Sequence, residues 1–295
     1  MATNTKEAAM RSKLASPNSP NLMRSIMPMF YLSLALVFAP VIGGETAKAM
    51  EVSCPSSPLR SEGSSTDQDQ LELLIKQATA CVREKKPTLA VTLLTEVIRR
   101  TPTNAGAYLN RGSAQASTGE VALAISDYTT ALHLQPDLFE AWYNRGTTFT
   151  HLRRYENAIA DFTEAIRLKP DFALAYCNRG LANFQLGRFD DALADYTVAI
   201  DRDATLIYCY FNRGNLYLAL GEYQRAIDDL TRALAIKTRD AVALSRRGQA
   251  YEALGQLDQA LDNFQAALEI APGLESAEEG LARITEQKKH SDRGR

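Results

Sequence analysis

The chain has few of the residues that usually carry chemistry. Its four cysteines fall at irregular spacing with no Cys-x-x-Cys pair, and its three histidines, His133, His151 and His290, are scattered. A thiolate or imidazole metal site needs several such ligands at close spacing, so no metal is expected. No phosphate-cradling glycine loop, nucleophile elbow or His-Glu-x-x-His helix occurs, so no cofactor and no catalytic residues are expected and the chain reads as a non-enzyme. Charge of one sign is also missing. Lys and Arg number 33 against 35 Asp and Glu, a formal net charge of -2, which provides no basic field for nucleic acid. No Asn-x-Ser/Thr sequon is present, which fits a bacterial or plastid protein better than a eukaryotic secretory one. What is present, 45% apolar residues, is ordinary for a folded protein.

The first 49 residues differ from the rest. Lys6, Arg11, Lys13 and Arg24 precede an apolar run from Ile26 to Ile42, and Ala47-Lys48-Ala49 follows. A basic region, an apolar region and an A-x-A site predict a signal peptide over 1–49, cleaved after Ala49. Pro28 and Pro40 shorten the uninterrupted apolar stretch below the roughly 20 residues of a membrane span. An uncleaved form would instead associate with a membrane through residues 26–42. Ser12, Ser16, Ser19 and Ser25 allow a further reading, a plastid transit peptide joined to a lumenal signal. The expected destination is therefore a periplasm or thylakoid lumen. Cleavage would remove five basic and two acidic residues, leaving 28 basic against 33 acidic. Residues 50–70 are rich in Ser, Gly, Pro, Asp and Gln without apolar periodicity, and are expected to form a flexible linker.

From Leu71 the sequence repeats with a period of 34 residues. Asn-Arg-Gly begins at Asn110, Asn144, Asn178 and Asn212, and Arg246-Arg247-Gly248 takes the fifth place. Six units result: 71–104, 105–138, 139–172, 173–206, 207–240 and 241–274. Their eighth place is Ala78, Gly112, Gly146, Gly180, Gly214 and Gly248, and their twentieth is Ala90, Ala124, Ala158, Ala192, Ala226 and Ala260. A large residue fills the twenty-fourth: Leu94, Tyr128, Phe162, Tyr196, Leu230 and Phe264. Pro102, Pro136, Pro170 and Pro272 end four units, while Ala204 and Thr238 depart from that pattern. This period with these residues resembles the tetratricopeptide repeat. The resemblance implies an all-α, right-handed α-solenoid of stacked helix-turn-helix repeats. Small residues at places eight and twenty let the two helices of a unit approach, and the large residue fills the space left. Gly119, Gly187, Gly221 and Gly255 should supply left-handed caps to the first helices. Residues 275–295 are expected to be a capping helix, with Ala277, Leu281 and Ile284 on its apolar face, followed by a basic tail from Lys288.

The seventh place is Arg111, Arg145, Arg179, Arg213 and Arg247, and the twenty-third is Asp127, Asp161, Asp195, Asp229 and Asn263; the first unit has Gln77 and Leu93 instead. A pair copied through successive units is expected to be structural, within or between repeats. In the resembled family the first helices line a concave groove, with places two, five, six, nine, twelve and thirteen facing it. Carried onto this chain, that predicts an exposed apolar stripe of Tyr143, Leu174, Cys177, Leu181, Phe184, Tyr208, Phe211 and Leu218, a candidate partner site. Asn110, Asn144, Asn178 and Asn212 would form a ladder whose amides could grip a peptide backbone, or would simply cap turns and face water. Trp142, at the fourth place, is expected in the core. Export would place Cys54 and Cys81 within reach of a disulfide; Cys177 and Cys209 lie on neighbouring first helices and are expected as buried thiols, with a bridge as the other state.

Together these features point to an exported interaction scaffold or assembly factor that binds another protein or peptide in the groove. A small-molecule or glycan-binding accessory protein using the same groove is the rival reading.

Overall fold

The computed structural model describes residues 52–56 and 67–293, and these contain thirteen helices and no strand. The all-α solenoid architecture expected from the period is present. The contacts divide the chain into two compact units, one ending at Ala175 and the other starting at Tyr176. The first unit holds α1 (Asp67–Arg83), α2 (Pro87–Arg100), α3 (Ala105–Ser117), α4 (Val121–Leu134), α5 (Phe139–His151) and α6 (Tyr155–Leu168). The boundary falls inside α7 (Ala173–Gln185). The second unit continues with α8 (Phe189–Arg202), α9 (Ile207–Leu220), α10 (Tyr223–Ile236), α11 (Ala241–Ala253), α12 (Leu257–Ile270) and α13 (Glu275–Arg293).

The helix ends follow local chemistry. Asn104 caps α3 by accepting from the Ala107 N–H at 3.0 Å, and Asp240 caps α11 through the N–H groups of Val242 and Ala243, each satisfying donors that the helix itself leaves open. Gly119, Gly187, Gly221 and Gly255 all have φ between 74° and 85°, the left-handed turn expected of them. Lys85 and Arg153 take the same conformation at the same place of the first and third repeats, at a cost of about 1 kcal/mol each that glycine avoids. α1 already begins at Asp67, inside the stretch read as linker. Asp67 and Asp69 suit the positive end of the helix dipole, and Leu71, Leu74 and Ile75 join the core from its first turns. At the other end α13 continues through residues expected as a tail. Its Arg283 grips Glu252 at 2.9 Å with two nitrogens, and Lys288 pairs with Asp258. Ala277 and Ile284 are fully buried against Phe264. The signal segment lies outside the described residues; no helix among the described residues is long and apolar enough to cross a membrane.

In four of the six hairpins the core is a ring over a bare backbone; in the fifth Leu230 lies over Gly214, and the first has Ala78 and Leu94 at these places. A Cβ on Gly146 would stand 2.9 Å from Cε1 of Phe162, and one on Gly112 would meet Tyr128 at the same distance. In the second unit Gly180 lies under Tyr196, and Gly248 under Phe264. Beside this contact sits the Arg–Asp pair, which is a clasp both within and between repeats. Arg145 donates from Nε and Nη2 to the two Asp161 oxygens at 2.8 and 2.9 Å, and from Nη1 to Thr129 Oγ1 of the preceding repeat at 3.1 Å. Arg111 bonds Asp127 and Thr95 in the same manner, and Arg213 bonds Asp229 and Thr197. Arg247 reaches Asn263 and Thr231. Burial pushes the Asp161 carboxyl above its ordinary range even though Arg145 pulls it down, and Asp229 is raised for the same reason.

Two outcomes follow from this core. Tyr128 and Tyr196 hold the same place, but the Tyr128 hydroxyl bonds Ser113 Oγ at 3.3 Å, whereas the fully buried Tyr196 hydroxyl has no hydrogen-bond partner. The cause is at place nine, where the fourth repeat has Leu181 in place of Ser113. Tyr196→Phe should leave stability unchanged or raise it by about 1 kcal/mol, and Tyr128→Phe should lower it by about 1 kcal/mol, because an unmade buried hydrogen bond costs more than an absent one; urea denaturation of both variants checks this. Arg145→Ala should cost about 3 kcal/mol by stranding Asp161. Without its partner Asp161 rises further above the unfolded value of about 3.9. In that window the folded variant then holds a proton that the unfolded chain has released. Stability therefore falls as pH rises through the window, and the deficit against wild type should be smaller at pH 4 than at pH 7 when denaturation is measured at both.

Candidate functional site

The first helices of the repeats carry the residues expected at a binding face. In the first unit, α3 and α5 place Asn110, Ser113, Tyr143, Asn144 and Thr147 on one side, and all five are buried. Asn144 Nδ2 donates to Ser113 Oγ on the preceding first helix at 2.9 Å. The same oxygen takes the Tyr128 hydroxyl, so amide, serine and phenol form one interhelical network. Sequence reading did not foresee it, although the pairing of a serine at place nine with a tyrosine at place twenty-four was there to be seen. Tyr143 packs edge-on against Phe172 at 4.8 Å and tilted against Phe162 at 5.8 Å.

In the second unit the apolar members of the expected stripe are mostly core. Cys177, Leu181, Phe184 and Phe211 are each 1–3% exposed. Phe184 stacks on Phe189 with centroids 5.6 Å apart, and both share a cluster with Tyr196, Cys209 and Leu216. Phe211 packs with Leu230, Leu244 and Phe264. Cys177 is bonded to Cys209 with the Cα atoms 5.6 Å apart, so the expected pair of buried thiols is instead a bridge; Cys54 is likewise bonded to Cys81. Asn178 and Asn212 are buried as well.

The expectation of a continuous exposed stripe is therefore corrected. Tyr143, Cys177, Leu181, Phe184 and Phe211 fill space between helices, and the four asparagines are buried. Places five and twelve turn toward neighbouring helices of the stack, so large residues there pack before they can be presented. Three members keep surface: Leu174 in the first unit is half-buried, and in the second unit Leu218 is half-buried and Tyr208 is 38% exposed. Val242, on the next first helix, is half-buried. His151 is exposed at the end of α5. Trp142 is half-buried and not fully in the core; its indole N–H donates to the Pro136 carbonyl at 2.9 Å and its ring lies 4.9 Å from the Arg145 guanidinium. Among the described residues no cluster of His, Cys, Asp or Glu could hold a metal ion.

Family models described as tetratricopeptide repeat match residues 75–138, 173–205, 207–237 and 241–274, and one described as TPR repeat matches 148–187. The chain belongs to the tetratricopeptide repeat family. No curated protein matches it. Among solved structures it is similar to the MamA protein, at 27% identity over 61% of this chain and 94% of that one, with a TM-score of 0.52. It is also similar to YrrB, described as a TPR protein with an unusual peptide-binding site, at 21% identity over 63% of this chain and 96% of that one, with a TM-score of 0.56. PilW, described as a widely conserved type IV pilus biogenesis factor, aligns at 18% identity over 72% of this chain and 98% of that one, with a TM-score of 0.63. The last two likenesses are of fold alone. The repeats place the chain in a family whose members are generally protein-interaction scaffolds and not enzymes.

Proposed function

We propose that this tetratricopeptide repeat protein is exported and binds a polypeptide segment against the first helices of its second unit. The observation that carries the binding half is Tyr208. It is a large aromatic left 38% exposed at place two of α9, on a helix whose other aromatic at a groove place, Phe211, is buried. Aromatic rings of this kind contribute much of the contact energy in protein interfaces. Leu218 on the same helix and Val242 on the next add half-buried apolar surface, and the buried Asn212 lies at the sixth place of α9. Export is supported from a different direction. Both disulfides consume all four cysteines, and bonds of this kind persist in oxidising compartments. The basic and apolar residues before Ala49 supply the corresponding address.

The full-length chain, used as bait in the exported fraction of its source, should retain a polypeptide. Tyr208→Ala with Leu218→Ala should lower that retention roughly tenfold or more, while leaving the circular dichroism spectrum intact because neither residue is fully buried. Equal retention by both forms would sink the binding site named here. For export, the N-terminal residue of the protein recovered from its compartment should be Met50; an intact N-terminus would show that the segment is kept.

A further inference from the structure

The first repeat lacks the place-seven arginine that the other five carry, and beside that place it has a disulfide. In the later repeats place seven is the clasp arginine, and place eleven lies next to it. Phe149 at place eleven faces the Arg145 guanidinium at 6.0 Å, Tyr217 faces Arg213 at 5.9 Å, and Asn183 donates to Asp195, the partner of Arg179. The arginine also reaches a threonine on the second helix of the preceding repeat, as Arg111 does to Thr95 at 3.2 Å and Arg145 to Thr129 at 3.1 Å. Places seven and eleven are therefore turned toward the helix that comes before. In the first repeat those places are Gln77 and Cys81, and the acidic place is Leu93. No clasp can form there.

Residues 52–56 occupy this position instead. Cys54 is bonded to Cys81 across 27 residues, with the Cα atoms 4.6 Å apart. Its backbone N–H donates to Glu84 Oε1 at 2.8 Å. Cys54 is 6% exposed and Cys81 fully buried, and both join the cluster of Ala78, Leu93 and Leu94 that holds α1 to α2. We propose that the Cys54–Cys81 bond takes the part that the arginine's contact with the preceding element plays in later repeats, anchoring residues 52–56 on α1, and that it couples the order of the α1–α2 hairpin packed beneath it to oxidation. Two thiols lose two electrons and two protons as the S–S bond forms, and a disulfide oxidant accepts them and becomes a dithiol. The later repeats are clasped by an arginine on an aspartate, or on Asn263 in the sixth, and need no such step, so the N-terminal repeat alone would be loose until the bond is made. The proposal holds whatever the partner of the second unit is.

Hydrogen exchange of the full-length chain, read segment by segment, tests it. In the variant Cys54→Ala with Cys81→Ala, exchange over 67–100 should accelerate on the order of a hundredfold, the scale expected for releasing a loop of this length. Exchange over 105–293 should stay within about threefold of wild type. The control variant Cys177→Ala with Cys209→Ala should leave 67–100 unchanged. Native reduction of the wild type by a dithiol, followed by alkylation, should reproduce the local pattern in molecules labelled at Cys54 and Cys81, which decides the matter if the double variant does not fold. Unchanged protection of 67–100, or equal loss of protection over 105–175, would overturn the proposal.

Discussion

In four of the six repeats a ring standing on a glycine sets the other distances. The eighth place there has no side chain, so the first helix can lie against the ring of the twenty-fourth place at 2.9–3.0 Å from where a Cβ would be. That approach fixes the separation of the two helices. It is also what brings place seven within two hydrogen bonds of place twenty-three, since the two pairs are adjacent on the same helices. The clasp then extends to the threonine of the preceding second helix, so a packing contact inside one hairpin becomes a polar contact between two. Stability in a stacked chain of this kind is a sum of unit and neighbour terms, and here one arginine contributes to both. Burial works against the clasp, as the raised Asp161 and Asp229 show. Losing one partner of such a buried pair costs far more than keeping both gains.

The features that recur were legible in the sequence, because repetition stands in for comparison between relatives. Gly112, Gly146, Gly180, Gly214 and Gly248 and the arginine before each could be checked five times within one chain, and the rings above the glycines and the carboxylate partners four times each. The direction of the clasp, within or between repeats, was not legible, because both answers put the same residues at the same spacing; the guanidinium has enough donors to do both. The exposure of the first-helix face failed for a physical reason. Which atoms of a helix are covered depends on the size of residues on its neighbours, and Tyr143 finds Phe162 and Phe172 only because those rings lie within reach. A place number gives the direction of a side chain and says nothing of what meets it. Cys177 shows the same limit, since a bridge depends on a Cα separation that no spacing along the chain reveals. The start of α1 at Asp67 was hidden by composition, because polar residues suited to a first turn look the same as linker.

What repeats in such a chain is architecture, and what is particular to it must reside in the departures. Each departure has a local consequence that differs in kind. Leu181 in place of a serine leaves the Tyr196 hydroxyl without a partner, and Asn263 in place of aspartate turns a charged clasp into a neutral acceptor. Gln77 and Leu93 remove the clasp altogether, and there a disulfide ties the preceding segment to the first helix. Tyr208 is a departure of another sort. Place two is otherwise Glu72, Gly106, Glu140, Leu174 and Val242, so no packing rule of the repeat asks for an aromatic there. Tyr208 stands 38% exposed, and an aromatic is of a type that loses little entropy on contact and covers much area.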